Sequence, residues 1–244
     1  MSFRWPLVAA ALGFLLTLIA RLPLQWIIGQ LPAGIACDQP LGTLWRGSCA
    51  ALRLPWINLG TARWHLHAGS LLRGRLQAQV DTNRSVLQFS GIVSLGLGGE
   101  IRLVDADLRY TLGSALFAQL PPLSGDVTAR FDELRSSARK ITAVTGWLEA
   151  RDLAQLNNRA PLGSYRIEFS APAEPDGSIP GAVRDLGGPL EVQGSLRLTP
   201  APGYLLQGTV AARPSASEAL VRQIAFLGSP DAAGRRGFSQ EASF

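Results

Sequence analysis

The sequence predicts a mainly-β protein. Antiparallel sheets form a sandwich or a half-open barrel or groove with few short helices, and one N-terminal transmembrane helix precedes them. Three observations predict this. One uncharged apolar run, Trp5 to Ala20, has no counterpart later in the chain. Most of the chain beyond it alternates apolar and polar residues with period 2, the mark of antiparallel sheet with one buried face. Glycine opens many of the alternating strips, as it does at strand starts, bends and bulges.

The apolar run holds Leu7, Val8, Leu12, Phe14, Leu15, Leu16, Leu18 and Ile19, and Leu22 to Ile28 extend it past Arg21. A spanning helix needs about 20 residues, which Pro6 to Ile28 supplies. Trp5 and Trp26 fit aromatic anchors at the two interfaces, and Arg21 can snorkel to the far one. Ala9 and Gly13, small residues four apart, suit helix packing in the membrane. Arg4 and the amino terminus hold the leading end in the cytoplasm. The expected organisation is a tip and anchor over 1–30, a β-rich domain outside the cytoplasm over 31–229, and a flexible tail over 230–244. A cleaved leader would need an Ala-x-Ala step close behind Ile19, which the chain lacks. A lipid-modified Cys37 lies too far from the apolar run and lacks the expected leucine.

Cys37 and Cys49 lie beyond the anchor in a compartment where disulfides persist, and a bond between them closes a loop of about 13 residues. The alternative is two buried free thiols. Between them stands Leu41-Gly42-Thr43-Leu44-Trp45-Arg46-Gly47, a short apolar strand with a glycine on each side, and Trp45 fits a core or clamp residue. Alternating strips lie near 61–67, 74–80, 86–97, 101–110, 127–131, 141–149, 165–170, 190–199 and 204–211. In the clearest, Leu190, Val192, Leu196 and Leu198 oppose Glu191, Gln193, Ser195, Arg197 and Thr199. The best helix is Ser215–Leu227, capped by Ser215 or Ser217, ended by Gly228 and striped by Leu220, Val221, Ile224 and Leu227. Short helical turns are expected at Ser114–Leu120 and Asp152–Asn157.

The formal net charge is +5, and Lys140 is the sole lysine. The arginines are scattered singly along alternating strips, which reads as solvated strand faces rather than a nucleic-acid stripe. His65 and His67 share a strand face, but no third ligand lies near them in sequence. Asp105 and Asp107 share a face without other members of an acid–base site. Gly96-Leu97-Gly98-Gly99 lacks the helix and Lys-Ser/Thr of a phosphate loop, so it reads as a turn. No nucleophile elbow or triad stands out. No enzyme activity and no cofactor are expected.

The order of several elements resembles a known family. It runs from the N-terminal anchor through Gly42-Thr43-Leu44-Trp45-Arg46-Gly47, Trp64 and Leu71-Leu72-Arg73-Gly74 to Leu116–Pro122. It continues with Gly146-Trp147, Leu162-Gly163-Ser164-Tyr165, Gly187-Gly188-Pro189-Leu190, Tyr204, Leu206, Gly208 and Leu227-Gly228. This pattern is similar to the protein N family of the bacterial type II secretion machinery, and Gly42 to Gly47 is its most specific piece. The resemblance implies a single-pass inner-membrane protein with a periplasmic β domain. It implies an accessory role beside the inner-membrane coupling protein C and the outer-membrane secretin D, and it brings no catalytic residues.

The expected function is therefore a scaffold subunit. Exposed sheet edges and the anchor, with membrane lipid around it, would form the interfaces, and homo-oligomers are possible. The alternative is an envelope groove protein of the AsmA-like kind that binds lipid or another apolar chain. A periplasmic chaperone with an open sheet edge is a third possibility.

Overall fold

The computed structural model describes residues 14, 17, 21, 23–25, 34–55, 57–113, 123–138, 140–200 and 203–243. The anchor residues Trp5, Gly13, Leu15, Leu18 and Trp26 lie outside this set, as does the helical turn expected at Ser114–Leu120. Among the described residues, no helix is long and apolar enough to cross a membrane.

The strands are β1 (Ala36–Asp38), β2 (Leu41–Gly42), β3 (Arg46–Leu54), β4 (Ile57–Leu66), β5 (Arg75–Arg84), β6 (Leu87–Gly96) and β7 (Ile101–Leu112). They continue as β8 (Leu123–Ser137), β9 (Lys140–Gln155), β10 (Pro161–Phe169), β11 (Ile179–Gly187), β12 (Leu190–Thr199), β13 (Gly203–Ala212) and β14 (Arg236–Ser243). Among the described residues two short helices lie between strands, α1 (Ala68–Leu71) between β4 and β5 and α2 (Glu218–Ala225) between β13 and β14.

All fourteen strands belong to one antiparallel sheet. Its order is β1-β3-β4 and then every strand in sequence to β14, with β2 paired to the lower part of β3. Strand contacts run between sheet neighbours, so the two-sheet sandwich does not form. From β3 to β14 successive strands pair with each other, and among the described residues no strand lies in a second layer.

Register sorts the side chains onto two faces. One cross-strand row runs Thr82, Phe89, Leu108, Ala129, Leu148, Ile167, Val183, Gly194, Gly208, Phe238 from β5 to β14. The opposite face carries Arg63, Asp81, Ser90, Asp107, Arg130, Trp147 and Glu168 from β4 to β10. From Cys49 and Ala62 to Val210, the buried apolar strand residues lie on the first face. The sheet curls around it. Strands two places apart in a flat sheet sit about 9.6 Å apart, yet β9 and β11, and likewise β10 and β12, approach within 8 Å at Cα.

The core lies inside that curl. Val144, Phe169 and Ile179 are buried with Phe131, Leu134, Ile167 and Leu196 around them. A second cluster joins Leu190 and Val210 to Leu220 of α2. The α2 helix starts at Ser217, whose side chain accepts from the Leu220 N–H, and Glu218 in its first turn suits the helix dipole.

Gly146 shows how the curl is achieved. It sits opposite Phe131 on one side and Phe169 on the other, at φ +140°. A Cβ there would stand 2.7 Å from the Phe131 Cα and closer still to the Arg130 carbonyl. Only glycine lets the β8 backbone come that near, since backbone atoms of Arg130 and Phe131 occupy the space a side chain would need.

Several expectations are corrected. Residues 236–243, expected in a flexible tail, form β14 against the whole of β13. Their apolar signal is thin, with only Phe238 and Ala242 facing inward, and backbone pairing rather than side-chain burial places them. Asp152–Asn157 is not a helical turn, because β9 runs on to Gln155 before the chain turns. Gly96–Gly99, by contrast, is the expected turn, a hairpin between β6 and β7 with the Gly99 N–H donating to the Gly96 carbonyl at 3.0 Å.

The packing makes two predictions. Gly146→Val should destabilise the fold by about 2–4 kcal/mol, through backbone strain and overpacking, measured as a lower denaturant midpoint; an unchanged midpoint would show that the close approach is absent. Tyr165 donates its hydroxyl to the Leu162 carbonyl, and burial first, then the Asp185 charge, push its pKa up to about 12. The folded value lies above the unfolded one, so the neutral phenol favours the fold below about pH 10, and this contribution disappears as pH rises through about 12. Ultraviolet titration should show a tyrosinate step near that upper value that Tyr165→Phe removes.

Candidate functional site

The region that the sequence singles out most sharply is the corner formed by β1, β2, β3 and β4. Gly42 ends β2 at φ +93°, which glycine alone adopts without strain, and the chain reverses through Thr43, Leu44 and Trp45. The Thr43 N–H donates to the Arg46 carbonyl at 2.9 Å, and the Arg46 N–H donates to the Thr43 hydroxyl at 3.3 Å. Gly47 pairs with Trp64, and its bare Cα leaves room for the indole, since a Cβ would stand 2.8 Å from Trp64 Cε2. The indole N–H donates to the Leu44 carbonyl at 3.0 Å. Trp64 is therefore the clamp over the motif. Trp45, expected in that role, is half-buried in the turn, where its carbonyl accepts from the Leu66 N–H at 2.7 Å.

Two further ties fix the corner. Cys37 in β1 is disulfide-bonded to Cys49 in β3, with their Cα atoms 5.4 Å apart. Arg53 and Asp38 add an ion pair at 2.6 Å on the same two strands. Pro23, from the end of the apolar N-terminal run, bridges to Thr43, and Leu24 beside it is buried. The motif is thus a structural junction that joins the N-terminal segment to the first strands of the sheet.

The other candidates do not assemble into a reactive site. His65 and His67 stack at 5.0 Å between ring centroids, and Arg46 Nε donates to His65 Nε2 at 3.1 Å. Desolvation, then the charges of Arg46 and His67, hold His65 below the ordinary imidazole range. Among the described residues, no group of three or more His, Cys, Asp or Glu side chains could hold a metal ion. Asp105 adopts φ +48° where the β6–β7 register shifts, so Val104 and Asp107 face the same side and strand alternation does not pair Asp105 with Asp107.

Sequence reasoning missed the charged pattern on the polar face. Arg63, Asp81, Asp107, Arg109 and Arg130 line an open concavity across β4 to β8. Beside it Glu149 is buried, accepting from Arg151 and, at 3.5 Å, from Arg166, whose guanidinium lies 4.6 Å over the Trp147 ring. These residues meet only through register across separate strands, and the one local signal was the regular charged position in each alternating strip. Nothing in this arrangement supplies a nucleophile with its base. It offers a surface for recognition.

Reducing the Cys37–Cys49 bond, or replacing both cysteines by serine, should cost about 3 kcal/mol in the chain-entropy account of a loop this size. Equilibrium unfolding with and without reductant measures it, and coincident curves would show that the bond contributes nothing.

Comparison with known proteins bears on this surface. The family described as type II secretion system (T2SS), protein N, matches residues 33–239. The type II secretion system protein N of Vibrio cholerae is 27% identical over 241 residues, covering 92% of each chain. No solved structure matches the chain. The matched span runs from just before β1 into β14 and so takes in the motif junction and nearly the whole curled sheet. This chain belongs to the type II secretion system protein N family.

Proposed function

We propose that this chain is a single-pass inner-membrane accessory subunit of the type II secretion machinery, acting as a scaffold. Its N-terminus is cytoplasmic and its sheet is periplasmic. Family membership carries the reading, and three features support it. The apolar run Trp5–Ala20, which Leu22 to Ile28 extend past Arg21, has the composition and flanks of a membrane anchor. The Pro23–Thr43 bridge and buried Leu24 tie the end of this run to the first strands of the sheet, which supports an anchor that leads directly into the domain. The sheet ends in two unpaired edges, β1 and β14, each able to accept a partner strand. In this reading the partners are other secretion components, namely the coupling protein C in the inner membrane and the secretin D in the outer membrane.

One observation favours a second reading, the binding of lipid or another apolar chain. The apolar face between β5 and β7 has no second sheet over it. Leu76, Leu95 and Ile101 form a cross-strand row there, each 42–43% exposed.

Photo-crosslinking residues placed on the polar face, on the apolar face between β5 and β7, and on β14 of the full chain, in cells that express the machinery, separate the two readings. The scaffold reading expects capture of the secretin or the coupling protein. Capture of lipid from the apolar face, with no secretion component from any position, would overturn it in favour of the groove.

A further inference from the structure

The up-and-down order brings the β2–β3 turn, the β4–β5 loop with α1, and the β6–β7 turn to one end of the sheet. That end is unusual in two respects. Leu72 and Leu97 at the tips of two of these loops are 92% and 93% exposed, and Leu41 beside the first is 68% exposed. Leu97 packs its Cδ1 3.1 Å from where a Gly74 side chain would begin, so the α1 loop and the β6–β7 turn form one surface. Arg46, Arg73 and Arg75 flank these leucines and form no ion pair among the described residues, and Glu100, the acidic residue of the β6–β7 turn, acts on Arg135. The end of the apolar N-terminal run arrives at this same place, through the Pro23–Thr43 bridge. At β10 to β13 the same end changes character, because Glu174 and Asp176 are there, paired with Arg197.

Bare leucines at loop tips are costly in water unless something covers them. Exposed aliphatic side chains ringed by unpaired cations match the boundary of an anionic bilayer, where leucine enters the acyl margin and arginine meets phosphate. We propose that this end, from β2 to β7, is a membrane-contact rim that lies on the surface of the bilayer in which the anchor is embedded. Leu72 and Leu97 enter the interface, and Arg46, Arg73 and Arg75 bind the phosphates of anionic lipids. The inference rests on the anchor reading and extends it: the sheet stands on the membrane at a fixed tilt, which leaves β10 to β14 raised from the bilayer for partners.

The test uses the full chain reconstituted into vesicles of phosphatidylethanolamine and phosphatidylglycerol. Single cysteines at Leu72→Cys, Leu97→Cys and, at the far end of the sheet, Leu156→Cys carry an environment-sensitive fluorophore. Quenching is read with lipids spin-labelled near the head of the acyl chain. The rim predicts blue-shifted emission and several-fold stronger quenching at positions 72 and 97 than at 156. A chain that sediments with the vesicles but is quenched equally weakly at all three positions overturns the rim and leaves the anchor standing. A chain that does not sediment with the vesicles overturns both. Adding Arg73→Glu and Arg75→Glu should weaken quenching at 72 and 97 without releasing the chain from the vesicles, and unchanged quenching would count against the role of the phosphates.

Discussion

From β3 to β14 each strand pairs with its neighbour in the chain, and the other features of the fold depend on that constraint. A meander of fourteen strands satisfies the backbone groups of all but its two edges, but among the described residues it produces one sheet with only α2 packed behind part of it. An apolar face of that width can leave water only by bending toward itself. The bend is visible in the approach of β9 to β11 and of β10 to β12. Its chemistry is visible in the row where Phe89, Leu108, Leu148 and Ile167 give way to the facing pair Gly194 and Gly208, with Phe238 beyond. Small residues stand where the curl is tight and rings fill the space beside them. Where the curl is weaker, at β5 to β7, the apolar residues stay half-covered.

The same constraint explains why the described residues form no enclosed reaction site. Catalysis needs groups from several elements converging in a cavity that excludes water. Here the polar side chains are spread along rows on an open face, and ion pairs such as Arg102–Glu133 and Arg184–Glu168 join adjacent strands. Such a face suits recognition over a broad area, and a component of a large secretion assembly needs that more than a pocket. The junction at Gly42 to Gly47 serves the same end. A disulfide, the Trp64 clamp and the Pro23 bridge fix how the sheet departs from the N-terminal segment.

The sheet was legible because alternation is a local signal. Strips such as 165–170 and 190–199 lie within observed strands, and the glycine before each marks a real bend or turn. The features that depend on pairing could not be read. The half-open groove and the sandwich share one alternation, and only the absence of a crossover to a second layer decides between them. The last strand hid because Arg236–Ser243 has two inward apolar residues and owes its place to the β13 backbone. The Asp105 bulge hid because a left-handed aspartate leaves no trace in periodicity. The motif was legible as a motif, but its clamp was assigned to Trp45 in the turn rather than to Trp64, which reaches it from the next strand.

The central claim is that the sheet is open, with β1 and β14 as true edges rather than partners that close a barrel. Amide hydrogen exchange of the full chain tests it most directly. An open curled sheet predicts the slowest exchange in β8 to β11, around the Val144, Phe169 and Ile179 core, with protection falling toward β14 at one edge and β1 at the other. Protection in β14 and β1 equal to that in β9 would mean that the edges are paired, and would contradict the account.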